Sequence, residues 1–174
     1  ENIFIQKAFS SSLSRPKETT QIILKKHPGI EISLKENLKE IGHGEWEGKL
    51  ESEISADWPD LLKAWKTCPE KVQMPGGENI NEVSTRSITG WIEICKELKN
   101  DETALVVAHD AVNKTILCHL LGLTPSDIWM VKQGNGGITV IDLSEIESQP
   151  DQIVCLNVTS HLGGIIDSTA AGAL

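Results

Sequence analysis

The sequence predicts a single three-layer α/β/α domain with a mainly parallel sheet. Strand, helix and strand patterns follow one another at the start of the chain, and a continuously apolar run near residue 106 precedes a further helix. This alternation is typical of a parallel sheet covered by helices. No repeat or linker divides the 174 residues, and this length suffices for one domain with a sizeable core. We therefore expect one domain over residues 1–174.

The first elements are predicted from short apolar patterns and from the residues that interrupt them. Apolar residues within 3–9 predict a strand that leads into a serine-rich loop. Ser14 as N-cap and Pro16 in the first turn predict a helix that ends at residues 27–29, where the sequence is His-Pro-Gly. Apolar and polar residues alternate over 30–34, which predicts a second, half-exposed strand.

The middle of the chain predicts an ordered loop followed by helices. Residues 38–48 contain three glycines and a tryptophan without a clean period, which is typical of a loop. A helical pattern over residues 50–66 contains Pro59, which predicts a break inside it. Asn79 and Glu82 have the spacing of a capping box, and an apolar stripe follows them as far as residue 99.

The last part of the chain predicts one buried strand and two further strands. Residues 104–108 are continuously apolar, as expected of a strand covered by helices on both faces. His109 follows this strand directly, and a helix is predicted from residue 111 to residue 121. Two further strands are predicted within residues 138–141 and 153–156.

Composition excludes several classes of protein. Hydrophobic residues make up 39% of the chain and charged residues 24%, values that argue against disorder. The net charge is −9, and Arg15 and Arg86 stand far apart without a basic run, so nucleic acid is not an expected partner. The four cysteines stand singly, which indicates free thiols in a reducing compartment rather than a metal site. No apolar stretch approaches the ~20 residues of a membrane span. We expect a cytoplasmic protein, or a stromal one in a chloroplast.

Two places in the predicted fold suit an anionic ligand. In an open α/β sheet, ligands bind beyond the carboxyl ends of the strands, near helix N-termini. The serine-rich loop before Arg15 lies at one such end, and His109 lies at another. Taken alone, each feature has a more common structural explanation: a serine-rich turn usually caps a helix, a strand-end histidine is usually structural, and an acid such as Glu40 is usually solvated.

Four motifs stand in a fixed order along the chain. They are Ser11-Ser12-Leu13-Ser14-Arg15-Pro16-Lys17-Glu18-Thr19, Leu38-x-Glu40 followed by Gly44-Glu45-Trp46-Glu47-Gly48, Pro75-Gly76-Gly77-Glu78 with Arg86 downstream, and Val106-Val107-Ala108-His109. This series resembles the histidine phosphatase superfamily, which includes the cofactor-dependent phosphoglycerate mutases. The ending, residues 156–162 and 169–174, resembles a photosynthetic, 2-carboxyarabinitol-1-phosphatase-like branch.

The resemblance implies a phosphoglycerate mutase-like fold and a metal-independent phosphatase that needs no cofactor. Its substrate would be a small phosphorylated metabolite, such as a sugar phosphate or a phosphoglycerate, hydrolysed through a phosphohistidine. By motif, Arg15 would clamp the phosphate with its planar guanidinium. His109 would donate to the transferring phosphoryl group, and Glu40 would act as general acid and then general base. Ser11 and Asn135 are weaker candidates that would line the same pocket.

The Arg-His-Gly motif that carries the attacking histidine in this family is absent from the sequence. None of the five histidines is preceded by Arg and followed by Gly. The resemblance therefore implies a domain truncated at its N-terminus, with the first strand and helix, about 30 residues, expected before Glu1. A second departure is Asp110, which stands where glycine is usual and could repel phosphate or select a hydroxyl or cationic group.

Three functions stay open at this point. The segment Lys49 to Met74 is short and has more acids than bases, which favours hydrolysis over a mutase, since mutases of this family usually carry a longer, more basic insertion there. A non-catalytic binding module is the third hypothesis, because the nucleophile is missing.

Glu78 and Arg86 could form a structural ion pair that positions the Pro75 to Asn79 loop. The oligomeric state is open, with a homodimer as one expectation.

Overall fold

A three-stranded parallel sheet organises the fold. The computed structural model describes residues 3–146 and 148–163. The strands of this sheet are β1 (Lys7–Ser11), β2 (Ile32–Lys35) and β3 (Ala104–Val107), in the order β2-β1-β3. In the central strand, Phe9 pairs with Ser33 on one side and with Val106 on the other. The mixed α/β class with a parallel sheet is therefore confirmed.

The remaining elements follow the predicted order. The helices are α1 (Ser14–Leu24), α2 (Glu51–Asp57), α3 (Pro59–Thr67), α4 (Ile80–Glu97) and α5 (Asp110–Leu120), and short 3₁₀ helices include Glu36–Leu38, Gly44–Trp46 and Pro125–Met130. Strands β4 (Ile138–Asp142) and β5 (Gln152–Val158) form a separate antiparallel pair. Pro59 begins α3, so the predicted break is confirmed, because proline is accepted only in the first turn of a helix.

The core lies between the sheet and the pair α4 and α5. Phe9 of β1 packs into a buried cluster with Ile94 of α4 and with Val112 and Ile116 of α5. Side chains alternate along a strand, so the neighbours of Phe9 face the opposite side, where α1 contacts the sheet. The sheet therefore separates α1 from α4 and α5 in three layers. Among the described residues, no helix is both long enough and apolar enough to cross a bilayer.

The structure corrects three details of the prediction. The first strand begins at Lys7, because its pairing begins opposite Ala104, and Phe4 lies outside it with 76% of its surface exposed. The N-cap of α1 is Leu13 rather than Ser14. Strand β3 is half-buried rather than fully covered on both faces. Within the described residues it pairs with β1 alone, so it lies at the edge of the sheet. Residues 169–174, which resemble the ending of a branch of the family, lie outside the described residues.

Candidate active site

The candidate site lies where β1 and β3 end side by side. Ser10 pairs with Val107, so the carboxyl ends of the two strands meet at the same edge of the sheet. The chain enters α1 shortly after β1, and His109 is the N-cap of α5 after β3. The two places that the sequence singled out for an anionic ligand are therefore neighbours.

Ser11 and His109 are joined directly at this edge. The Ser11 Oγ and the His109 Nε2 are 3.0 Å apart, and both residues are buried. The backbone N–H of Leu13 also donates to the Ser11 Oγ at 3.3 Å, which holds the hydroxyl in place. Burial, and then the positive charges of Arg15 and Arg86, lower the pKa of His109 to about 4. The imidazole is therefore neutral at pH 7 and carries a single ring N–H.

A neutral, buried His109 should make stability depend on pH. The unfolded chain protonates this imidazole near pH 6.5, whereas the folded protein does so only near pH 4. Stability should therefore fall as pH decreases between these values, because the unfolded state binds the extra proton. We expect the His109→Gln variant to lose about 2 kcal/mol of this pH dependence. Urea unfolding of both proteins at several pH values from 7 to 4 measures how the free energy of unfolding depends on pH. The same dependence in both proteins would contradict a neutral, buried His109.

Arg15 supplies a cation next to the imidazole. It is the second residue of α1, is exposed, and its charge reaches His109. Over residues 3–146 and 148–163, no hydrogen bond or ion pair engages its guanidinium. A guanidinium can donate two parallel hydrogen bonds to a phosphate. Arg15 is therefore available to an anion at the edge of the sheet.

Glu40 places a carboxyl beside the start of α5. Its Oε1 accepts the backbone N–H of Ile41 at 3.0 Å. Burial, together with the charge of Asp110, raises the pKa of Glu40, although the backbone N–H groups of Ile41, Ala111 and Asp110 act in the opposite direction. Glu40 consequently keeps its proton to a higher pH than a solvated glutamate, as a general acid requires.

Arg86 holds the backbone around Glu40. Its guanidinium donates to the backbone oxygens of Asn37 at 3.0 Å, Lys39 at 2.6 Å and Glu40 at 3.1 Å. It also forms a bidentate pair with Glu78, at 2.8 and 2.9 Å. The ion pair expected from the sequence is therefore present. No sequence pattern predicted that Arg86 also contacts three carbonyl oxygens. Arg86 fixes the position of Glu40 through the main chain.

Two loops, residues 42–45 and 75–78, pack backbone against backbone beside the Arg86–Glu78 pair. The Glu45 N–H donates to the Pro75 oxygen at 2.8 Å, and the Glu78 N–H donates to the Gly42 oxygen at 2.8 Å. A Cβ at Gly77 would lie 2.3 Å from the Gly42 oxygen, which is closer than real Cβ atoms come. Glycine is required at this position because the two main chains touch there.

Asn135 is the last of the residues that the sequence placed in the pocket. Asn135 lies exposed in the turn before β4, and its place in the pocket stays a prediction. Asp110 is paired with Lys114, whose Nζ lies 2.7 Å from the Asp110 Oδ2. Sequence reasoning noted Asp110 but missed Lys114, although their separation of four residues on a helix would have indicated the pair. No cluster of three or more histidine, cysteine, aspartate or glutamate side chains among the described residues could hold a metal ion.

Known proteins resemble this chain over most of its length. Residues 1–158 match the model of the histidine phosphatase superfamily (branch 1). Phosphoserine phosphatase 1 of Hydrogenobacter thermophilus is 30% identical over 155 residues, covering 89% of this chain and 71% of that protein. The probable 2-carboxy-D-arabinitol-1-phosphatase of Arabidopsis thaliana is 29% identical over 149 residues, covering 86% of this chain and 30% of that protein.

Solved structures agree at the level of the fold. The structure of YhfR from Bacillus stearothermophilus superimposes with a TM-score of 0.77 at 24% identity, covering 88% of this chain and 74% of that one. The family match includes all four sequence motifs and the strand ends that bear Ser11 and His109. The chain belongs to the histidine phosphatase superfamily, in its first branch.

Proposed function

We propose that this chain forms most of a phosphatase site that hydrolyses a small phosphorylated metabolite through a phosphohistidine, without a metal. One observation carries the proposal: the Ser11–His109 pair, the Arg15 guanidinium and the Glu40 carboxyl converge where two parallel strands end. The phosphatases among the relatives support a small phosphate ester as substrate. The attacking histidine would come from a segment outside residues 1–174.

In the first half of the reaction, Arg15 and His109 bind the phosphoryl group and Glu40 acts as the acid. The attacking histidine nitrogen forms a bond to phosphorus as the ester P–O bond breaks. Arg15 and the single N–H of His109 stabilise the charge on the non-bridging oxygens of the phosphoryl group. Glu40 gives its proton to the departing alkoxide, which leaves as an alcohol. The raised pKa of Glu40 suits this step because the carboxyl must enter it protonated.

The second half returns the site to its starting state. Glu40 is now a carboxylate and removes a proton from a water molecule, which attacks phosphorus. The P–N bond breaks, inorganic phosphate leaves, and the histidine recovers its lone pair. Glu40 is again protonated, so one carboxyl serves as acid and then as base within a cycle.

Arg15 should contribute strongly to anion binding. We expect Arg15→Ala to weaken the binding of inorganic phosphate roughly tenfold or more, because a hydrogen bond to a charged group contributes about 1.5–3 kcal/mol. Isothermal titration calorimetry with phosphate measures the change. Lys17→Ala removes an exposed cation two residues further along α1 and is the matched control. Equal weakening of phosphate binding by both variants would show a general effect of charge. It would contradict a direct contact between Arg15 and the phosphate.

The reaction itself is tested with p-nitrophenyl phosphate in the presence of EDTA. The chain is assayed alone and joined to the segment that precedes it in its gene. We expect the extended chain to hydrolyse the ester and to become labelled on a histidine, which an acid-labile, base-stable phosphate adduct would identify. An extended chain that contains an Arg-His-Gly motif and yet shows neither hydrolysis nor labelling would refute the proposal.

Phosphoryl transfer to a second hydroxyl is the alternative reaction. A 2,3-bisphosphoglycerate-dependent phosphoglycerate mutase of Brucella ovis is 30% identical over 138 residues, which is as high as the identity to the phosphoserine phosphatase. Incubating the active form with 3-phosphoglycerate distinguishes the two reactions. Release of inorganic phosphate supports the phosphatase, whereas formation of 2-phosphoglycerate without release supports the mutase.

A further inference from the structure

Asp110, the first residue of α5, interacts with two ionisable side chains. Its Oδ2 accepts a hydrogen bond from the Lys114 Nζ at 2.7 Å. Its Oδ1 is buried and, within the described part of the chain, has no hydrogen-bond partner. Its negative charge acts on Glu40, whose carboxyl also interacts with the backbone N–H of Asp110. The main chain of Asp110 therefore favours the charged form of Glu40, while its side chain disfavours that form.

Lys114 is fixed on the other side of Asp110. The residue is only 8% exposed, and its ammonium lies 4.7 Å from the centre of the Trp129 ring. Trp129 is itself held, because its Nε1 donates to the Trp65 oxygen at 2.7 Å. An ammonium held between a carboxylate and an aromatic face has few alternative positions. The distance between Lys114 and Asp110 is therefore set by packing.

We propose that Asp110 and Lys114 are positioning residues that determine how firmly Glu40 holds its proton. The negative charge of Asp110 disfavours ionisation of Glu40 beside it. Lys114 weakens this repulsion by partly neutralising Asp110. The inference rests on the acid–base role of Glu40 proposed above. It assigns a function to Asp110, the acidic residue that directly follows His109.

Five other ionisable residues lie on the elements around the proposed site. They are Arg86 and Glu78 on the α4 side, Arg15 at the start of α1, His109 before α5, and His43 on the adjoining loop. Arg86 and Glu78 compensate each other through their bidentate pair. Burial lowers the pKa of His109 to about 4, so its imidazole is neutral at pH 7. Burial also lowers the pKa of His43, which disfavours its charged form. The charge of Arg15 acts on His109, and in the proposed site the bound phosphate would compensate it.

The test follows the Glu40 carboxyl directly and needs no enzymatic activity. Glutamate labelled with carbon-13 at Cδ is incorporated, and the Glu40 resonance is identified by its loss in Glu40→Gln. We expect Asp110→Asn to lower the pKa of Glu40 and Lys114→Gln to raise it. Asp60→Asn removes an exposed acid from the first turn of α3 and should leave the titration unchanged. Proton–nitrogen correlation spectra confirm that each variant is folded.

The combination of signs decides the proposal. Opposite shifts in the stated directions, with a smaller effect of Lys114→Gln in an Asp110→Asn background, would support it. Absence of a shift in Asp110→Asn, or shifts of the same sign in both variants, would overturn it. Should one variant not fold, Asp110→Ser or Lys114→Met takes its place in the same titration. These outcomes are independent of phosphatase activity, so a failure of the proposed reaction is distinguished from a failure of this inference.

Discussion

Replacing Glu40 by glutamine should reduce turnover of the phosphatase-active form by about 10²- to 10⁴-fold, the usual contribution of general acid–base catalysis. Glutamine keeps the size of the side chain but cannot give a proton to the leaving alkoxide. Binding of inorganic phosphate should change little, because in the proposed site Arg15 and His109 make the phosphate contacts. Steady-state kinetics with p-nitrophenyl phosphate, together with phosphate titration calorimetry, separate the two effects.

The leaving group provides an internal control for this prediction. p-Nitrophenolate is stable without a proton, whereas an alkyl alkoxide is not. The defect of Glu40→Gln should therefore be larger with an alkyl phosphate such as glycerol phosphate than with p-nitrophenyl phosphate. Glu36→Gln, which removes an exposed carboxylate four residues earlier, is the matched variant and should retain turnover. Unchanged turnover in Glu40→Gln would remove Glu40 from the acid role.

Replacing Gly77 by alanine should destabilise the protein by about 3 kcal/mol or more, through overpacking of two main chains. The new Cβ would meet the Gly42 oxygen at 2.3 Å and the Gly44 nitrogen at 2.8 Å. Neither backbone can move without breaking the hydrogen bond from the Glu78 N–H to the Gly42 oxygen. Urea-induced unfolding, followed by circular dichroism, measures the loss.

Gly48→Ala is the control for this substitution. Gly48 has a φ of +76°, but a Cβ built on it meets no atom within 4 Å. Its replacement should cost only the strain of a left-handed alanine, about 1 kcal/mol. A loss at Gly77 no greater than that at Gly48 would mean that the loops separate readily, and that their contact does not support Glu40.

Local chemistry made the helices predictable from the sequence. Asn79 and Glu82 form the expected capping box, with hydrogen bonds of 3.0 and 2.9 Å, because each reaches a backbone N–H only three residues away. The first strand was placed too early for the opposite reason. Residues 3–5 have an apolar pattern, but pairing with a distant strand decides where β1 begins, and that pairing starts at Lys7.

The candidate site was predictable in its residues and less so in its supports. Strand ends and motif order indicated Ser11, Glu40 and His109, and the structure joins Ser11 to His109 directly. The carbonyl contacts of Arg86 and the packing of Lys114 on Trp129 link elements far apart in the chain. No short sequence pattern encodes such contacts, since they depend on how whole elements pack.

The pairing of β1 with β3 also constrains the order in which the site can assemble. Lys7 aligns with Ala104, so almost a hundred residues must be gathered before Ser11 can meet His109. Closing so long a loop costs entropy before any contact compensates for it, and contacts of this kind slow folding. Anion-binding competence should therefore appear late during refolding, after α4 and α5 have formed. An emerging ability to bind phosphate would report that the two ends of this long loop have come together.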